Sequence, residues 1–95
     1  MHNIHMRIMW DPEKARANFL KHGVRFSDAE GVLFDPSAIS REDRTARGEE
    51  RHISVGMDHI GRIVVIVYAY RKNDIRIISA RRATRREREQ YAKGI

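Results

Sequence analysis

The sequence predicts one α+β domain: an antiparallel sheet with two early helices on one face and a short helix at the end of the chain. Three observations carry this prediction. Strand-like apolar runs gather in the second half of the chain, and helix start and stop signals gather in the first third and again near the end. Ninety-five residues are also enough for one modest core and too few for two. The order is strand, helix, helix, three strands, helix.

Residues 4–10 alternate loosely, with Ile8 and Trp10 on one side, and read as a first strand. Asp11 suits a helix N-cap, Pro12 the first helical position, Glu13 the first turn and Gly23 a left-handed stop. A helix is therefore expected over Pro12–His22. Its inward stripe should be Ala15 and Phe19 with Leu20 beside them, leaving Lys14, Arg16, Asn18 and Lys21 to solvent or ligand. Ser27 with Glu30 reads as a capping box for a second helix that carries Ala29, Val32 and Leu33, stapled by Phe26 and ended by Asp35-Pro36. The polar stretch 37–50 predicts a long loop with room for a short edge strand near Ala38-Ile39.

Residues 51–57, 62–70 and 74–81 give three strand signals, joined by Asp58-His59-Ile60-Gly61 and Lys72-Asn73, and so predict a meander. Thr84 and Glu87 form a further capping box, opening a last helix that ends near Lys93-Gly94. The middle strand, with Ile63-Val64-Val65-Ile66-Val67-Tyr68, is apolar on both faces, and the two early helices can cover only one. The last helix offers just Tyr91 and Ile95 as an apolar stripe, so it should dock weakly. A partner chain is expected to cover the open face or to displace that helix.

Charge is localised. Residues 75–95 hold seven Lys/Arg and two Asp/Glu, whereas residues 1–70 hold ten of each sign. Such a concentration beside a strand points to a polyanion, with RNA and DNA the leading candidates. The absence of cysteine removes disulfides, thiolate metal sites and a cysteine nucleophile, and suits a reducing cytoplasm. No apolar run approaches the roughly 18 residues of a membrane span, so no membrane is implied. No His/Asp/Glu constellation has metal-ligand spacing, and no cofactor is expected. Residues 1–7 read as an extension or tag remnant ahead of a single domain at 8–95.

Trp10-Asp11-Pro12-x-Lys14, then Asn18-x-x-Lys21-His22-Gly23-Val24-x-Phe26, then Glu49-Glu50-Arg51, then Arg76-Ile77-Ile78-Ser79-Ala80-Arg81-Arg82-Ala83 and Glu87-x-x-x-Tyr91 together resemble the BrnT family of toxins over about residues 8–92. The resemblance implies a RelE-like fold and a ribonuclease that arrests translation. It also implies a neutralising antitoxin, BrnA, whose ribbon-helix-helix domain binds DNA, so that the pair, expected as a heterotetramer, represses its own operon and meets operator DNA only through the antitoxin.

RNA carries its own nucleophile, the 2′-hydroxyl, so cleavage needs a base, cationic donors for the phosphorane oxygens and an acid, with no metal. Arg76 and Arg81 are the phosphate-side candidates, because a guanidinium fork grips phosphate oxygens in pairs. Strict alternation puts them on opposite faces and pairs Arg76 with Arg82, unless a bulge at Ser79-Ala80 resets it. Proton-transfer candidates are His22, Lys21, Glu50, Glu87 and Tyr91. Four of them have an ordinary structural role open to them: His22 in a helix stop, Glu50 in an ion pair, Glu87 in a capping box, Tyr91 in packing. Arg82, Arg85 and Tyr91 are the candidate RNA contacts. Three readings follow: a metal-independent endoribonuclease toxin, a non-catalytic nucleic-acid-binding module, or a partner-binding protein.

Overall fold

A computed structural model describes residues 6–44 and 48–94. The elements are β1 (Arg7–Met9), α1 (Pro12–His22), α2 (Phe26–Ala29) running into a 3-10 turn (Glu30–Phe34), β2 (Ile39–Glu42), β3 (Arg51–Met57), β4 (Ile63–Arg71), β5 (Asp74–Arg82) and α3 (Arg85–Lys93). They build one five-stranded sheet in the order β1-β5-β4-β3-β2. The expected meander is β3-β4-β5, antiparallel throughout. Expectations that rest on Ile4, on residues 1–5 of the expected extension 1–7, and on Ile95 lie outside the described residues, and Arg7 of that extension stands in β1.

Two turns let the meander close. Lys72 takes a left-handed φ of 53° in the β4–β5 hairpin, and Gly61 takes 85° in the β3–β4 turn. In the latter, the buried Asp58 carboxylate accepts hydrogen bonds from the backbone N–H groups of Ile60 and Arg62 and from Arg62 Nε. The expected edge strand is β2, antiparallel to β3. The first strand departs from the antiparallel expectation: β1 pairs parallel with β5, Arg7 beside Asp74 and Met9 beside Arg76. The helices and hairpins between them form a connection long enough to bring the chain back in the same direction.

One face of the sheet carries the core. Val64, Ile66 and Tyr68 of β4 and Ile77 and Ala80 of β5 pack under Val24, Phe26, Ala29 and Val32, with Ile8, Trp10 and Ala15 at the margin. The helix signals at Asp11, Pro12 and Gly23 act as expected, the Asp11 carboxylate accepting from the Glu13 N–H. The inward stripe of α1 does not. Leu20 is 75% exposed and Phe19 is partly so, while Asn18, expected at the surface, is the buried residue of the helix.

Asn18 is buried because β1 ends at Met9, leaving the outer edge of β5 open beyond Arg76. Its side-chain amide donates to the Ala80 carbonyl at 2.8 Å and accepts from the Ala80 N–H at 3.0 Å, replacing the missing strand. A further bond to the Val24 carbonyl fixes the chain leaving α1. The second helix also differs from expectation. It begins two residues early, at Phe26, with Arg25 at the cap position and no side-chain cap bond, so the Ser27–Glu30 capping box does not form. Phe26 is 1% exposed and belongs to the core instead of a surface staple. Burial of that ring outweighs a cap bond.

The Thr84–Glu87 capping box on α3 is present in both directions. As expected of a helix with a thin apolar stripe, α3 buries no residue fully. Polar tethers hold it instead: Tyr91 OH donates to Asp35 Oδ2 at 2.7 Å, Arg88 Nη1 donates to the Ala83 carbonyl, and Glu87 pairs with Arg81.

Candidate functional site

The second face of the sheet is the open one. Odd-numbered residues of β3 and β4 project there, among them Ile53, Val55, Val65 and Val67. With Ile39 and Arg41 of β2, Ser79 and Arg81 of β5, and Glu87 and Gln90 of α3, they line a groove of about 310 Å³ between the sheet and the last helix.

β5 does not alternate regularly across this face. Val67 pairs with Ser79 and the next residue, Tyr68, with Ile77, so Ile78 is an extra residue in a β-bulge. The bulge resets the parity. Ile77 and Ala80, three apart, both enter the core, while Arg76, paired with Ala69, and Arg81, paired with Val65, project from the same open face. The separation of Arg76 from Arg81 that strict alternation predicts is therefore corrected. So is the pairing of Arg76 with Arg82: Arg82 stands beside Val64 on the core side, at its exposed end.

The partners of the two arginines, Val65 and Ala69, are four positions apart on β4, about 13 Å at the usual strand rise, with Ser79 between the arginines. Arg81 is held end-on by Glu87, Nη1 to Oε1 at 2.8 Å and Nη2 to Oε2 at 2.9 Å. That guanidinium, with the Thr84 N–H, drives the Glu87 carboxyl down to about 2. Arg76 makes no ion pair among the described residues.

The other candidates lie apart from this pair. Lys21 and His22 form the last turn of α1 on the helix side of the sheet, and the adjoining Gly23 carbonyl accepts from Arg62 Nη1. Glu50 accepts from or shares a proton with His52 Nε2 at 2.9 Å, on the core side, where the His52 ring stacks on Tyr68. Tyr91 spends its hydroxyl on Asp35. Burial works to raise the Asp35 carboxyl, but bonds from the Met57 N–H, Tyr91 OH and the Ser37 N–H outweigh it and hold the group below its ordinary range. Arg85 is an exposed member of an i,i+4 pair with Glu89. Ser79 and Arg41 enter the site without having been singled out from sequence. Ser79 belongs to the Arg76–Ala83 motif, and Arg41 carries no sequence signal beyond its charge. No group of three or more His, Asp or Glu side chains able to hold a metal occurs among the described residues.

A family profile described as "Ribonuclease toxin, BrnT, of type II toxin-antitoxin system" matches residues 10–87. This chain belongs to the BrnT family of ribonuclease toxins. A solved structure of a BrnT toxin, that of Brucella abortus at 1.1 Å resolution, is 28% identical with a TM-score of 0.64, over 84% of this chain and 99% of that one. No curated protein sequence matches. The BrnT profile spans every element from α1 to β5 and the capping box of α3, so both arginines and every groove-lining residue but Gln90 fall inside the matched region. No helix among the described residues is long and apolar enough to cross a membrane.

Proposed function

We propose that this BrnT-family toxin cuts RNA endonucleolytically and without a metal, by attack of the 2′-hydroxyl on the adjacent phosphate, leaving a 2′,3′-cyclic phosphate and a 5′-hydroxyl. The observation that carries this reading is the bulge at Ile78, which turns Arg76 and Arg81 to one open face on either side of Ser79. A phosphate lying over Ser79 has a guanidinium on each side, Arg76 without an ion pair among the described residues and Arg81 held by Glu87, to meet the charge that develops on its oxygens in the transition state. Glu87 is a positioning residue in this account: it holds the Arg81 guanidinium end-on through Nη1 and Nη2 and leaves Nε outside that pair.

No histidine or lysine lines the groove among the described residues. A carboxyl held near 2, as Glu87 is, makes a weak base. Rate acceleration is therefore assigned to orientation and charge, and cleavage should rise smoothly with pH instead of passing through a bell near neutrality.

The further reading is a RelE-like toxin that arrests translation in the cytoplasm and is neutralised by a BrnA-type ribbon-helix-helix antitoxin, in a heterotetramer that represses its own operon. The type II family supports the antitoxin. An apolar groove floor rimmed by Arg41 and Arg81 suits an acidic, apolar segment of such a partner as well as RNA. Purified toxin incubated with RNA in EDTA tests the proposal. Cleavage with cyclic phosphate ends is expected; intact RNA with a salt-dependent gel shift would replace it with non-catalytic binding.

A further inference from the structure

The groove ends before the most cationic part of the open face. Below it, one cross-strand row reads Arg51 on β3, Ala69 on β4 and Arg76 on β5. The two arginines are two strands apart, about 10 Å between backbones, and only a methyl group stands between them. Ala69 is fully buried although it projects from the face without the helix layer, as expected where two long side chains close over a methyl.

The bonding of Arg51 differs in kind from that of Arg81. Glu49 takes Arg51 through Nε alone, at 2.8 Å, and its other oxygen takes Arg71 Nη2 at 3.2 Å. Both terminal nitrogens of Arg51 are thus left free of the ion pair, while the head is fixed from behind. Arg81 has the opposite arrangement, with both terminal nitrogens on Glu87. The charges differ too. Glu49 answers both Arg51 and Arg71, one carboxylate for two guanidiniums, and Arg76 nearby has no ion pair among the described residues, while Arg81 with Glu87 is neutral.

We infer that Arg51, positioned by Glu49 and facing Arg76 across Ala69, forms a second phosphate subsite that grips an RNA backbone phosphate next to the one at Ser79. This rests on the proposed RNA cleavage. A planar fork with free ends and a cation opposite it is the arrangement that binds a phosphate from two sides. Arg51 would then set the register of the strand on the face, with Arg76 shared between the two subsites.

The test is binding of a short single-stranded RNA, made uncleavable by 2′-deoxy substitution, across a potassium chloride series, with cleavage of the unmodified RNA measured alongside. Arg51→Ala should weaken binding at least fivefold and lower the slope of log affinity against log salt by close to one. Arg51→Lys should restore the slope but not the full affinity. Lys14→Ala, a charge removed from the helix layer, should match wild type, and thermal melts should show all variants folded. If wild type binds and cleaves while Arg51→Ala keeps affinity and slope within twofold, the subsite is wrong and the proposed activity stands. If wild type neither binds nor cleaves, both fall.

Discussion

At the scale of single residues, Asn18 has the most structural weight for its size. Its amide is buried and answers three backbone groups, two of them on a fully buried alanine. Asn18→Ala strands the Ala80 N–H without a partner and should cost about 2 kcal/mol in urea unfolding. Nothing in the sequence pattern gave this away: a polar residue on an amphipathic helix reads as surface, and the open edge that needs it exists only once β1 and β5 are paired. Glu87 was legible as a cap residue but not as an arginine holder at full strength. Its folded-state pKa of about 2 lies below the 4.5 of an unperturbed glutamate, so its contribution is present above pH 4.5 and lost as pH falls toward 2. The stability gap between wild type and Glu87→Gln should therefore be widest near neutrality and close with acid. Glu50, bonded to His52 on the core side, has no reach to the arginine face, and Glu50→Gln should leave RNA cleavage within threefold of wild type.

At the scale of elements, the last helix is a strap more than a packed layer. It buries nothing fully and is fastened at its start through Glu87 and near its end through the Tyr91–Asp35 bond. Tyr91→Phe removes the second fastening and leaves the Asp35 bonds to the Met57 and Ser37 N–H groups in place. Amide exchange over α3 should speed up at least tenfold while the global unfolding midpoint moves little. The caps of α1 and α3 and the meander were readable because each depends on a few adjacent residues. The second helix was misread because its start is set by Phe26 entering the core, which a local capping pattern cannot register. The bulge was open as a possibility and no more, since Ile77, Ile78 and Ser79 fit a strand equally well with or without an extra residue. Only the pairing with Val67 and Tyr68 decides it.

At the scale of the whole molecule, the open face divides into an apolar groove closed by α3 and a cationic end around Arg51, Arg71 and Arg76. The basic C-terminal segment was visible in the charge count, but its division was not. Arg76 and Arg81 turn to the open face, Arg82 to the core side, and the helix arginines go largely to solvent. That division is what makes Arg76 and Arg81 one site in this account. A double-mutant cycle on kcat/KM for RNA cleavage tests it directly, using wild type, Arg76→Ala, Arg81→Ala and the double variant. Each single change is expected to cost at least a hundredfold, and the double variant little more than the worse single, because both serve one phosphate. Strictly multiplicative losses, or full activity in either single variant, would contradict a shared site.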